Sequence, residues 1–108
     1  MTRSERDRLD DIRAAVRRCQ GYREHLDSAD LGVMAYDAVL RNLAVIGEAV
    51  KALPTDLKDA RPDVPWASIA GLRNVVVHEY FRVDPAMIRD IVDDQLARLL
   101  HELPGGDS

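Results

Sequence analysis

A chain of 108 residues with 46% hydrophobic content reads as one domain with a single core and is too apolar for a disordered segment. Five aromatic residues and a net charge of -4 exclude a stacking platform for single-stranded nucleic acid and binding of nucleic acid through the overall field, so any phosphate-binding surface must be local. A sole cysteine, Cys19, excludes an intrachain disulfide, and the lack of a long apolar run or a signal-like start leads us to expect a cytoplasmic protein with no membrane contact.

In chain order, Thr2-Arg3-Ser4-Glu5 has the form of a capping box, and Leu9, Ile12, Val16, Cys19 and Leu26 recur at helical spacing. This predicts a first helix ending near Leu26, with Cys19 as a small buried hydrophobe and the helix's arginines on a solvated, ion-paired face. Asp27-Ser28-Ala29-Asp30 is a polar turn offering caps to a second helix over residues 31–53, which Pro54 stops. Its core stripe is Tyr36, Val39, Leu43, Ile46, Val50 and Leu53, and Gly47 beside the stripe permits close helix packing. The other side carries Asp37, Arg41 and Glu48, where Asp37 and Arg41 have the spacing of an exposed ion pair.

Residues 55–61 read as a short helical turn and Pro62-Asp63-Val64-Pro65 as a stiff loop. Three consecutive valines, Val75 to Val77, would suit a strand. The helical spacing of Ile69, Leu72, Val75 and Val76, the placement of Pro65 for a first turn and the stop at Val83-Asp84-Pro85 predict instead one helix over residues 66–80. Asp84 then caps a last helix with Pro85 at its first position and a stripe of Ile88, Ile91, Val92, Leu96, Leu99 and Leu103, ended by Pro104-Gly105-Gly106. The fold class expected is all-α: an antiparallel four-helix up-and-down bundle with a short extra helical turn, spanning residues 1–108 as one domain.

The segment Arg73-Asn74-Val75-Val76-Val77-His78-Glu79-Tyr80-Phe81 gathers most of the residue types able to do chemistry. Arg73 and His78 lie about 140° apart around a helix, so one straight helix cannot aim both at one atom. With the core face centred on Ile69, Leu72 and Val76, the opposite face carries Arg73, Val77, Phe81, Asn74 and His78. Two apolar residues between a cation and an imidazole predict cover by a partner helix, and a two-fold homodimer through Val77 and Phe81 would bring the Arg73 of one subunit toward the His78 of the other. Asn74, one turn before His78, stands where it could set the imidazole tautomer. No set of histidines and cysteines has metal-ligand spacing, so neither a metal nor a cofactor is expected, and His25 and His101 read as surface residues near helix ends.

This segment resembles the Arg-x4-His-x-Tyr motif of HEPN-domain proteins, in particular the HepT-like toxins of prokaryotic HepT–MntA modules. Arg41-Asn42-Leu43-Ala44-Val45-Ile46-Gly47-Glu48-Ala49 is similar to that family's second signature, and Pro65-Trp66 and Ala70-Gly71-Leu72 fit as well, so that the likeness covers residues 31–100. The resemblance implies a HEPN-like bundle with endoribonuclease activity, Arg73 and His78 as catalytic residues, and Arg41 and Glu48 near the cleft. It also implies a cognate MntA-like nucleotidyltransferase antitoxin that silences the toxin by transferring AMP to Tyr80. Geometry alone allows Tyr80 to be a packing residue continuing the Leu72–Val76 stripe.

Arg with His and no metal suits transesterification of RNA by its own 2′-hydroxyl, because the nucleophile is already in the substrate. An imidazole with an ordinary pKa near 6.5 moves protons at neutral pH, and a guanidinium fork binds phosphate oxygens. The plain alternative has Arg73 in a local ion pair and His78 as an interface histidine. A reading from another class is a non-catalytic helical adaptor or nucleotide-binding module that partners a nucleotidyltransferase.

Overall fold

Helix α1 (Glu5–Arg23) starts where the Ser4 hydroxyl accepts a hydrogen bond from the Asp7 amide, with Glu5 and Asp7 at the positive end of the helix dipole. The computed structural model describes residues 4–79 and 83–104. The cap is Ser4, and Thr2 lies outside the described residues. The helix ends three residues earlier than the apolar spacing predicts, because the amides of His25 and Leu26 bond back to the carbonyls of Tyr22 and Arg23 in tight turns. Gly32 closes this corner: a Cβ there would lie 2.9 Å from the Leu26 carbonyl oxygen.

Helix α2 (Gly32–Lys51) is the central element, packing along α1 on one side and against α4 (Trp66–Ala70) and α5 (Leu72–Glu79) on the other. Val39, Leu43, Ile46 and Val50 are buried on it, Tyr36 is half-buried, and Leu53 is buried just beyond its end, as the stripe predicts. The Tyr36 hydroxyl donates to the Val83 carbonyl at 2.5 Å and so fixes the chain where it leaves the motif. The short turn is α3 (Thr55–Asp59), and the Trp66 indole N–H, shared between the carbonyls of Lys58 and Arg61 at 3.0 and 2.9 Å, ties the following loop to the start of α4.

The single helix expected over residues 66–80 is divided at Gly71 into α4 and α5. There the Asn74 amide reaches the Gly71 carbonyl at 3.0 Å, a tighter turn than an α-helix makes. The α2 backbone at Gly47 presses on this junction, where a Cβ would come within 2.9 Å of the Arg73 amide nitrogen, 3.1 Å of the Ala70 oxygen and 3.2 Å of the Ile69 oxygen.

The last helix begins as predicted, with the Asp84 carboxylate accepting from the Met87 amide at 2.8 Å and Pro85 in the first turn. It runs as α6 (Pro85–Asp90), widens into a π-helical stretch, Ile91–Leu96, and continues as α7 (Ala97–Glu102). The wide stretch carries Asp93, whose two carboxylate oxygens accept from Arg23 Nε and Nη2 at 3.0 and 2.8 Å. Its apolar stripe, from Ile88 to Leu103, is buried in the same core as the stripes of α1 and α2. Among the described residues there is no strand, and the chain is the all-α bundle that its periodicity predicts.

Candidate active site

Helix α5 turns Leu72 into the core, half-buries Val75 and Val76, and leaves Arg73, Asn74, Val77 and His78 exposed, which is the two-sided wheel expected from the sequence. The contact with Gly47 sets the depth at which Arg73 emerges. Its Nε lies 3.1 Å from Glu48 Oε1, and its Nη1 donates to Asn74 Oδ1 at 3.4 Å. Glu48 of α2 is thus brought against the Arg73 of α5 in an exposed ion pair.

Arg73, Glu48 and Val77 line an open groove of about 520 Å³ whose other walls are Arg8 and Asp11 from α1, Ala44, Val45 and Ala49 from α2, and Ala52 just beyond its end. The floor is apolar and the rim carries charges of both signs. Arg41 does not line this groove; it is exposed on α2, and among the described residues it forms no ion pair with Asp37. Asn74 does not hold His78. Its carbonyl oxygen accepts a long hydrogen bond from Arg73 at 3.4 Å, and no hydrogen bond joins its side chain to His78. His78 is exposed near the end of α5, about 7.5 Å along the helix axis from Arg73 and about 140° around it, so one protomer does not aim the two at a common point. Tyr80 and Phe81, expected as modification site and interface residue, lie outside the described residues.

Arg8, expected on a solvated face with the other arginines of its helix, walls the groove together with Asp11. Each directly precedes a buried residue of α1, Leu9 and Ile12, a position that Arg18 before Cys19 shares. Asn42, inside the second signature, is the one buried polar residue among those described. It stands three residues after Val39 and four before Ile46, on the core stripe itself, where a polar side chain needs partners. Its amide donates to the Ala38 carbonyl at 2.8 Å and its oxygen accepts from Arg18 Nε at 3.0 Å, clasping α1 to α2. Arg18 is therefore an inter-helix contact as well as a surface cation.

Cys19 is fully buried, and desolvation pushes its thiol up from 9.0 to about 12 against the weaker opposing pull of Arg18, so it supplies no nucleophile at neutral pH. Among the described residues no three His, Cys, Asp or Glu side chains gather where they could hold a metal ion, and no helix is long and apolar enough to cross a membrane. The chemical equipment of this face is a guanidinium positioned by a carboxylate and an amide, and an accessible imidazole further along the same helix.

The pattern of the family described as Ribonuclease HepT-like matches residues 12–104. The chain is 33% identical over 101 residues to "Probable ribonuclease HepT" of Thermococcus cleftensis, covering 92% of each protein. Two proteins of Methanocaldococcus jannaschii that carry the provisional name of an RNase are 36% and 44% identical to it, each over 66 residues. These alignments cover 61% of this chain, and 61% and 54% of the respective relatives. No solved structure matches the chain.

Proposed function

The chain belongs to the ribonuclease HepT-like family, and from that premise we propose that it is a metal-independent endoribonuclease, the toxin of a toxin–antitoxin pair, that cleaves RNA in a cleft between two subunits. The observation that carries the reading is the setting of Arg73. Glu48 engages the guanidinium at Nε and Asn74 takes only a long bond from Nη1, so the terminal nitrogens keep donors for phosphate oxygens. The Arg73–Glu48 pair is exposed on both sides, so it is a weak contact that an RNA phosphate can share without a large desolvation cost.

In a two-fold dimer closed over Val77 and the neighbouring Val45, the Arg73 and His78 of both subunits face one cleft. One imidazole takes the proton from the 2′-hydroxyl as its oxygen attacks the adjacent phosphorus. The bond from phosphorus to the 5′-oxygen breaks, and the other imidazole, protonated, gives its proton to that oxygen. The products are a 2′,3′-cyclic phosphate and a 5′-hydroxyl. Arg73 stabilises the negative charge that builds on the phosphoryl oxygens.

The family resemblance extends the proposal to regulation. Transfer of AMP to Tyr80 by a partner nucleotidyltransferase would add a phosphodiester charge and bulk two residues beyond His78, repelling and blocking RNA together.

The test is cleavage of a defined RNA by the purified chain, with an all-DNA copy and a chelator as controls. Wild type should cut RNA, spare DNA and be indifferent to chelator. Arg73→Ala and His78→Ala should each lose about 10²-fold or more while keeping the helical fold. Undiminished cleavage by either variant overturns the assignment, and binding of nucleotide without any cleavage would favour the adaptor reading. Co-expression with the partner should raise the mass by AMP units in wild type and not in Tyr80→Phe.

A further inference from the structure

A second surface lies away from the arginine groove. At the start of α2, Val33 is 78% exposed, Met34 70% and Leu31 45%, three large apolar side chains within four residues. Such a cluster on the first turn of a helix is more apolar than solvent contact alone favours. Val33 also lines an open groove of about 430 Å³ with Leu26, Tyr36, Val83 and Pro85, at the corner where the turn before α2 meets the start of α6.

The rim is acidic. Asp30 precedes Leu31, Asp37 stands one turn after Val33, and Asp84 borders the groove itself. The Tyr36 phenol is held above its usual range by burial first and then by the carboxylates of Asp84 and Asp37, which places the two acids around it. Asp84 also lines an adjoining groove of about 830 Å³ with Asp90, Asp93 and Asp94, of which Asp93 is paired with Arg23 and Asp94 with Arg98.

This charge decides between occupants. RNA phosphates are repelled here. A second copy docking patch to patch by a two-fold contact would set one acidic rim against the other. We propose that this patch and its groove are a docking site for a basic protein segment that presents apolar side chains between lysines or arginines. Val33 and Met34 supply the desolvated centre and the three aspartates the complementary rim. This reading does not depend on RNA cleavage, and either can fail alone.

The probe is a labelled helical peptide of leucines and lysines at three- and four-residue spacing, titrated by fluorescence anisotropy against the full chain and a Val33→Ser/Met34→Ser variant. Both positions are exposed, so the variant leaves the core intact, and an unchanged melting curve confirms it. Wild type should bind the peptide, more weakly as salt is raised, and the double variant should bind about tenfold more weakly or worse. A matched peptide with glutamate for lysine should not bind. Equal affinity of the double variant, equal binding of the acidic peptide, or no binding of the basic peptide by wild type overturns the proposal. A change in oligomeric state of the double variant by light scattering would also overturn it, by assigning the face to a second copy.

Discussion

Gly47 and Arg73 meet backbone to backbone, with a Cβ at Gly47 destined to lie 2.9 Å from the Arg73 amide nitrogen. Since the nearby atoms are all backbone, no side chain can swing aside, and any larger residue must push α5 away from α2. Gly47→Ala would gain up to about 1 kcal/mol of helix propensity and lose about 1–3 kcal/mol to overpacking. The expected net result is a lower urea midpoint together with loss of RNA cleavage, because the same displacement moves Arg73 away from Glu48. A variant as stable and as active as wild type would show that the contact is not tight in solution.

The reach of the sequence can be judged at that same junction. The Ile69, Leu72 and Val76 stripe was legible because burial imposes its period on the residues, and Val39, Leu43, Ile46 and Val50 were legible on α2 for the same reason. The break at Gly71 was not, because Gly71 keeps right-handed helical angles and the apolar spacing runs on across it. At this junction the α2 backbone comes close at Gly47, a contact distant in sequence. The π-helical stretch at Ile91–Leu96 was hidden likewise, since its apolar residues keep spacings that an ordinary helix also satisfies. At the site, Arg73 and Glu48 came from two signatures that the fold brings together. Arg8 and Asp11 carry charges on a charge-rich helix, and only the packing of α1 on α2 distinguishes them from their solvated neighbours.

Burial of Cys19 gives a pH prediction with a definite sign. Its thiol titrates near 9.0 when unfolded and near about 12 when folded, so below pH 9 it is protonated in both states and contributes no pH dependence. As pH rises from 9 toward 12 the unfolded chain releases a proton that the folded chain retains, and stability falls. Urea midpoints of wild type should therefore drop more steeply over this window than those of Cys19→Ala, and a thiol reagent should label the folded wild type only at the rate of unfolding. Fast stoichiometric labelling of native protein would contradict the burial.

The groove floor predicts where subunits join. Val77 is 49% exposed and Val45 46%, on different helices but lining the same groove. A carboxylate at the centre of an apolar contact is left buried and unpaired, which costs several kcal/mol and is enough to dissociate a dimer. Val77→Asp and Val45→Asp should each be monomeric by light scattering and retain wild-type circular dichroism. If both stay dimeric while folded, the interface is elsewhere.

The separation of Arg73 and His78 around α5 leads to a complementation experiment. One protomer holds the two about 140° apart, so a cleft that uses both must take them from different subunits. Each homodimer of a single variant then lacks one function entirely: Arg73→Ala has imidazoles without the charge-stabilising cation, and His78→Ala has guanidiniums without a proton carrier. In a mixed dimer, the His78→Ala subunit contributes its intact Arg73 and the Arg73→Ala subunit its intact His78, and these face each other across the two-fold axis. Two differently tagged variants, co-expressed and purified through both tags, should therefore cleave RNA faster than the His78→Ala parent, which has no imidazole, and well below wild type, because the one imidazole facing an arginine acts as base while the second, which protonates the leaving oxygen, is missing. The mixed dimer must also lose this recovered activity when Val77→Asp is added to both chains. Mixed dimers no more active than the His78→Ala parent would mean that an arginine and an imidazole from different subunits do not work together, and the shared cleft would have to be abandoned.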